Sequence, residues 1–257
     1  LLGAFAIFIG ASGLAHRVVS LIPQAIKSGI IIGAGIAAVH PIDSAFLNPA
    51  TIPQLKSYHI GAQYFRNQVN HGTTLDQYGL VLTDATGNGL ARGSLSYRNR
   101  DYEQLGVKVR EDVLQFSVAT FLTDSVSLGL TGYGVKTDFK SGQDYSQKNI
   151  DLGALWVINK SLAIGTVARA ILGSEDKATF TPSIIRPSAG VGAQYFLSDM
   201  VTVRGDLNYT YEDNPNKRFT HNFGAEFVLR GGWQLRTGLS IDDFRAENRY
   251  SFGFGWL

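Results

Sequence analysis

The 257-residue sequence predicts an all-β fold: a transmembrane up-and-down antiparallel β-barrel of about twelve strands, with an apolar N-terminal segment ahead of it. Three observations carry this. From residue 57 onward the apolar residues recur with a period of two, the signature of a strand with one apolar face. The alternating runs last roughly 10–13 residues, whereas strands of soluble proteins usually run about 5–6 and membrane-crossing strands need about 9–11. Tight turns alternate with longer polar connections, as in outer-membrane barrels.

Composition removes the competing classes. Charged residues are 17%, below the roughly 25% of an ordinary soluble domain. Lys+Arg is 23 and Asp+Glu 21, a net charge of +2, which argues against an electrostatically driven nucleic-acid binder. Cysteine is absent, so disulfide, thiolate-zinc and iron–sulfur chemistry are excluded. A hydrophobic fraction of 44% excludes disorder. There are 11 Tyr and 15 Phe, yet beyond about residue 45 no long apolar block appears, so these residues must be dispersed by alternation.

Taken in order, residues 1–28 form an apolar N-terminal segment. Leu1–Ala15 is uncharged and ends in small residues, resembling the h-region and cleavage site of a signal peptide. As a spanning helix it is shorter than the ~18–20 residues required. Residues 29–56 are a Gly-rich plug segment: the run from Gly29 to Val39, with Gly33 and Gly35, is too short to span a bilayer as a helix. Residues 57–257 are the barrel.

Twelve strands are expected near 58–66, 76–84, 90–99, 112–122, 125–138, 147–158, 160–172, 186–197, 199–212, 218–230, 232–242 and 247–257, with ten or fourteen also compatible. The last shows the pattern most plainly: Tyr250, Phe252, Phe254 and Trp256 alternate with Ser251, Gly253 and Gly255. A sandwich would crowd every such aromatic face into one core, whereas a barrel turns them to lipid. Tyr209, Tyr211, Trp233 and Trp256 fall at strand ends, where interfacial girdles lie. Tight turns are expected at 122–125, 158–161, 197–200 and 230–233, with a slightly longer one at 84–89. Polar loops are expected at 67–75, 100–111, 139–146, 173–185, 213–217 and 243–246. An even strand count returns both barrel ends to the periplasm. An up-and-down order leaves no lipid-exposed edge, which hydrocarbon would penalise by several kcal/mol per unpaired group.

The inward phase carries Arg92, Asp151, Arg169, Arg204, Asp206, Glu212, Glu226, Arg230, Arg236 and Asp242 as candidate lumen-lining residues. Two readings stand: a self-neutralising ladder that fills a narrow lumen, or a polar conduit. Inward glycines (Gly129, Gly153, Gly165, Gly190, Gly192, Gly224, Gly238, Gly253 and Gly255) leave room for a plug, a ligand or larger neighbours. No catalytic site, cofactor site or metal site is expected. There is no P-loop, G-x-S-x-G or H-E-x-x-H, and the five histidines are scattered. A barrel lipase would need an outward Ser beside outward His221, and the adjoining strands offer none.

The stretch Gly33-Ala-Gly35-Ile-Ala-Ala-Val-His-Pro-Ile-Asp43-Ser-Ala-Phe-Leu-Asn48-Pro49-Ala50 resembles the opening of the fatty-acid transporter (FadL) superfamily of outer-membrane proteins, which includes the PorV-type proteins. The resemblance lies in a Gly/Ala-rich run, an Asp, a small residue, then Asn-Pro-Ala before the first strand. It implies a Gram-negative outer-membrane barrel with a segment that plugs or enters it. It also implies passive transport of small or hydrophobic molecules; the alternative is an accessory barrel that binds partner proteins. On this reading the contacts are the lipid bilayer and a small hydrophobic ligand or partner proteins, with no nucleic acid, and the plug residues are Gly33, Gly35, Asp43, Asn48, Pro49 and Ala50.

Overall fold

The structure, a computed structural model, describes residues 36–37, 41–55, 57–69, 73–86, 91–104, 107–140, 144–173, 186–211, 219–229, 231, 233–243 and 247–256. Residues 1–28, with the expected signal peptide, lie outside these, as do Gly33, Gly35, Glu212 and Arg230.

The twelve strands are β1 (Tyr58–Val69), β2 (Thr73–Asp84), β3 (Arg92–Gln104), β4 (Val107–Phe121), β5 (Val126–Phe139), β6 (Asp144–Val157), β7 (Leu162–Arg169), β8 (Ser188–Ser198), β9 (Val201–Thr210), β10 (Phe219–Val228), β11 (Trp233–Asp242) and β12 (Glu247–Trp256). They form one antiparallel sheet in sequence order, each strand paired with the next, as the alternation predicts for an up-and-down barrel. Ahead of them lie a short helix α1 (Pro41–Phe46) and a 3-10 helix (Pro49–Leu55). Among the described residues no helix is long and apolar enough to cross a membrane.

Burial follows the period of two. In β4, Val109, Glu111, Val113, Gln115, Ser117 and Ala119 are buried, while Leu114 and Phe116 point outward and are more than half exposed. The outward phase of the other strands is likewise apolar: Ile60, Leu80, Leu95, Leu130, Leu152, Val191, Phe223 and Phe252 are all exposed. This inverts the soluble rule, because lipid rather than a protein core receives the apolar face.

Two expectations need correction. The loops at 67–75, 100–111 and 139–146 are largely strand: Asn67 pairs with Leu75, Arg100 with Glu111, and Lys136 with Ser146. The connection between β3 and β4 shrinks to residues 105–106. Apolar alternation stops where a strand leaves hydrocarbon, but the backbone ladder does not. Cross-strand pairs such as Arg100–Glu111 (3.4 Å) support it there. The strict alternation of short and long connections is therefore lost over β1–β6. The second correction concerns closure. The ladder runs from β1 to β12, and among the described residues no register joins β12 back to β1, where an edge-free barrel was expected. In hydrocarbon each unpaired backbone group costs several kcal/mol, so β1 and β12 are the strands between which a bilayer demands closure.

The turns at 122–125, 158–161 and 199–200, with Gly231, lie at one end of the barrel, called here the short-turn end; the opposite end is the rim. Gly231 takes φ 82°, a left-handed conformation that a side chain would strain, which accounts for glycine in the β10–β11 turn. β7 ends at Arg169, before the expected 172. There Ala170 adopts φ 52° and is fully buried, and its N–H is taken by Asp151 Oδ1 at 2.8 Å. Asn149 Nδ2 donates to the Gly173 carbonyl at 2.8 Å, and its Oδ1 accepts the Leu172 N–H at 3.0 Å, so the turn folds onto the inner face of β6.

Candidate functional site

The inner face is built around Asn48. It lies just ahead of the 3-10 helix, where its Oδ1 accepts the Ala50 N–H (3.0 Å) as a cap. Pro49 takes the first helical position, where a missing N–H costs nothing. Thr51 adds its hydroxyl to the Asn48 carbonyl at 2.8 Å. The Asn48 amide faces the other way. Its Nδ2 donates to the Ile36 carbonyl at 2.8 Å and reaches the Ala154 and Thr166 carbonyls of β6 and β7 at 3.2 and 3.4 Å. One side chain, 0% exposed, thus ties residue 36, the 3-10 helix and the barrel wall together.

The wall receives this segment on glycines. Gly129 of β5 pairs with Gly153 of β6, and Gly165 of β7 pairs with Gly192 of β8. A Cβ at Gly129 would sit 2.5 Å from the Ala50 nitrogen, which no real contact allows. At Gly153 it would collide with the Asn48 side chain, at Gly165 with the Ile36 carbonyl, and at Gly192 with the Asp206 carboxylate and Ile36. Four adjacent strands therefore form a trough, and at Gly129 and Gly165 backbone rests on backbone. Around it, Ser127 donates to the Ala50 carbonyl (2.5 Å), Arg169 Nη2 to the Leu47 carbonyl (2.9 Å), and Asp206 accepts the Ile36 N–H (3.3 Å). Arg98 lies over the Phe46 ring, 5.6 Å from its centroid.

A second cluster lines the wall beyond the trough. Glu226 of β10 stands between Arg236 of β11 (2.8 Å) and Arg204 of β9 (3.8 Å), and Arg204 Nε donates to Gln194 of β8 at 2.8 Å. Arg236 is only 6% exposed, so this is a low-dielectric ionic triplet rather than a surface pair.

The candidate residues thus divide. Arg204, Glu226 and Arg236 come together as a ladder. Arg169, Asp206, Asn48, Pro49 and Ala50 meet at the trough, while Asp151 holds the turn after β7. Arg92 stands apart, its guanidinium 4.9 Å over the Phe121 ring and its Nε donating to the Ala85 carbonyl at 3.3 Å. Asp242 is half-buried at the rim end of β11, and Asp43 belongs to α1, with its side chain outside the described set. Sequence reasoning overlooked Ile36, Leu47, Arg98, Ser127 and Asn149, four of which act through backbone groups or on them. The inward phase of Ser127 beside the glycines was the one available signal. Among the described residues no group of three or more His, Asp or Glu could hold a metal. His221 faces outward in line with Phe219 and stands 3.8 Å from Asp243.

Twelve up-and-down strands with an apolar outer surface, polar inner face and internal segment define the fold as that of an outer-membrane β-barrel. No family model and no curated protein matches the sequence. Solved structures share the fold, among them two outer-membrane channels or channel homologues. The CymD monoaromatic hydrocarbon channel superimposes with TM-score 0.53 at 14% identity, over 86% of this chain and 82% of that one. A FadL homologue from Pseudomonas aeruginosa gives TM-score 0.58 at 12% identity, over 85% and 79%. The barrel is of the FadL-like type in fold; identity this low extends the likeness no further.

Proposed function

We propose that the protein is a passive channel of the outer membrane for small, hydrophobic molecules, with the internal segment around residues 36–55 as its gate. One observation carries this reading: the glycine trough of β5–β8, which accepts the backbone of Ile36–Ala37 and Pro49–Ala50 and the Asn48 side chain where any side chain on the wall would exclude them. A wall shaped to hold a segment non-covalently, through a handful of hydrogen bonds, is suited to releasing it. The description of one structural neighbour as a monoaromatic hydrocarbon channel supports the cargo class. We read the short-turn end as periplasmic and the rim, with the long connection 170–187, as outer.

The test is flux through the barrel in proteoliposomes, with and without residues 29–50. Deletion is expected to raise the permeability to small polar solutes and to change the flux of a neutral monoaromatic. Unchanged rates for both would overturn the gate.

A further inference from the structure

The outer surface of β2–β6 changes character in a sharp line. Below it the outward residues are Leu80, Leu95, Leu114, Phe116, Leu130 and Leu152, all exposed to the lipid side. On the line stand tyrosines whose rings lie with the apolar band while their hydroxyls reach carboxylates one step nearer the rim. Tyr64 donates to Asp76 at 2.8 Å, and Tyr97 donates to Asp112. Asn99 adds a 2.8 Å bond to the same Asp112 oxygen. A phenol anchored this way marks the boundary between hydrocarbon and water.

Directly above the line the outward positions turn ionic. Arg110 Nε lies 3.7 Å from Asp112, and Lys136 Nζ lies 2.9 Å from Asp138. The two basic side chains remain about 60% exposed (59% and 61%), so most of their donors face away from the barrel. Lys148 of β6 is exposed and has no acidic partner among the described residues. It pairs across the ladder with Gly134, whose outward side is open space, as is that of Gly132 below it. At the rim-side ends of β9, β10 and β12 stand aromatics instead: Tyr209, Tyr211, Phe219 and Tyr250.

We propose that the outer face of β3–β6 just above the tyrosine line binds the phosphorylated headgroup of an outer-leaflet glycolipid. Arg110, Lys136 and Lys148 contact the phosphates, and the acyl chains lie on the leucine band and the open strip at Gly132 and Gly134. Two things argue for this occupant: cations placed at headgroup depth, and unbroken continuity with the surface that already meets lipid. Asp112 and Asp138 hold two of the three cations in position, Asp144 also lies within electrostatic reach of Lys136, and Arg110 and Lys136 stay more than half exposed. The inference rests on the orientation proposed above, with the rim outermost.

Binding of diphosphoryl lipid A to the full-length protein in mild detergent tests it, alongside monophosphoryl lipid A, phosphatidylethanolamine and inorganic phosphate. Diphosphoryl lipid A should bind near one per barrel and more tightly than the monophosphoryl form, and millimolar free phosphate should not displace it. Replacing all three cations (Arg110→Gln, Lys136→Gln, Lys148→Gln) should weaken binding about 100-fold, from roughly fivefold per cation near a membrane surface. Equal affinity for the diphosphoryl and monophosphoryl forms in the unaltered protein would overturn the proposal whatever the variant does. So would variant binding within twofold of the parent. The chain has no cysteine, so Ser146→Cys gives a single label site on the same surface. A residue at 146 that is unreachable from outside intact cells refutes the orientation and this proposal with it. Failure of the unaltered protein to bind lipid A, with gated flux intact, refutes only the lipid site.

Discussion

The wall made of β2–β6 and the wall made of β8–β12 solve the same problem differently. Strands of the first run 12–15 residues; those of the second run 10–11. Where the 3-10 helix packs, the inner face of the first is uncharged: Ser94, Ser96, Gln115, Ser117, Ser127 and Thr131 are buried there, and its charged residues Arg98, Glu111 and Asp151 lie nearer the rim. The second carries Arg204, Asp206, Glu226 and Arg236. At the rim the first is ionic on its outer face and the second aromatic. The difference follows from what each wall touches. Where the 3-10 helix packs against β3–β6, the wall needs small side chains and hydroxyls that can bond a backbone. Where it does not, long charged side chains must fill the interior and satisfy each other.

Substitutions on the two walls should therefore fail in different ways. The largest effect is expected from Glu226→Gln, which leaves Arg204 and Arg236 facing each other with their shared anion gone. Urea unfolding in lipid vesicles should show a loss of roughly 3 kcal/mol, the low end for a buried ion pair deprived of one partner. Flux should hardly change, because the ladder does not touch the gate; a stability loss below ~0.5 kcal/mol would mean the triplet is solvated. Asn48→Ala comes next. It removes the bonds to Ile36, Ala50 and the wall, at about 2 kcal/mol for buried partners left unsatisfied. Here polar-solute flux should rise, and stability loss alone, with flux unchanged, would break the contrast between the walls.

Tyr97→Phe on the outer face should cost about 1.5 kcal/mol, the low end for one hydrogen bond to a charged acceptor because the pair is exposed. It should also leave flux intact. The smallest effect is expected from Gly132→Leu. Its outward side is open and lipid-facing, so stability should stay within about 0.5 kcal/mol. The same substitution at Gly153, three steps of the same sheet away but on the inner face, should displace the Asn48 side chain and open the gate. If Gly132→Leu and Gly153→Leu behaved alike, the division between inner and outer glycines would be wrong.

Much of the fold was legible beforehand. Tyr250, Phe252 and Phe254 declare their strand and its lipid face locally, and all twelve strands appear near their expected places. The misjudged part was the rim of β1–β6. Residues such as Arg100, Glu111 and Lys136 read as loop because the apolar alternation has ended there. The site was legible only in outline. Asn48-Pro49-Ala50 and the inward glycines could each be singled out, but not matched to each other. Arg169 and Asp206 read only as two of ten inward charges, in a ladder or a conduit; each instead bonds the internal segment's backbone, at Leu47 and Ile36.

By itself, then, the sequence determined the up-and-down strand pattern, the face of each strand that meets lipid, and the absence of a soluble core. Those properties are written in a period of two, which every short stretch repeats and which the bilayer enforces residue by residue. Only the tertiary structure decided what the inner face is for. Gly129 and Gly153 are adjacent because β5 and β6 pair in one register, and they matter because a segment about 80–100 residues earlier in the chain comes to rest on them. Contacts of that separation between a wall and a non-periodic segment leave no local pattern, since they are made largely to backbone, which every residue shares.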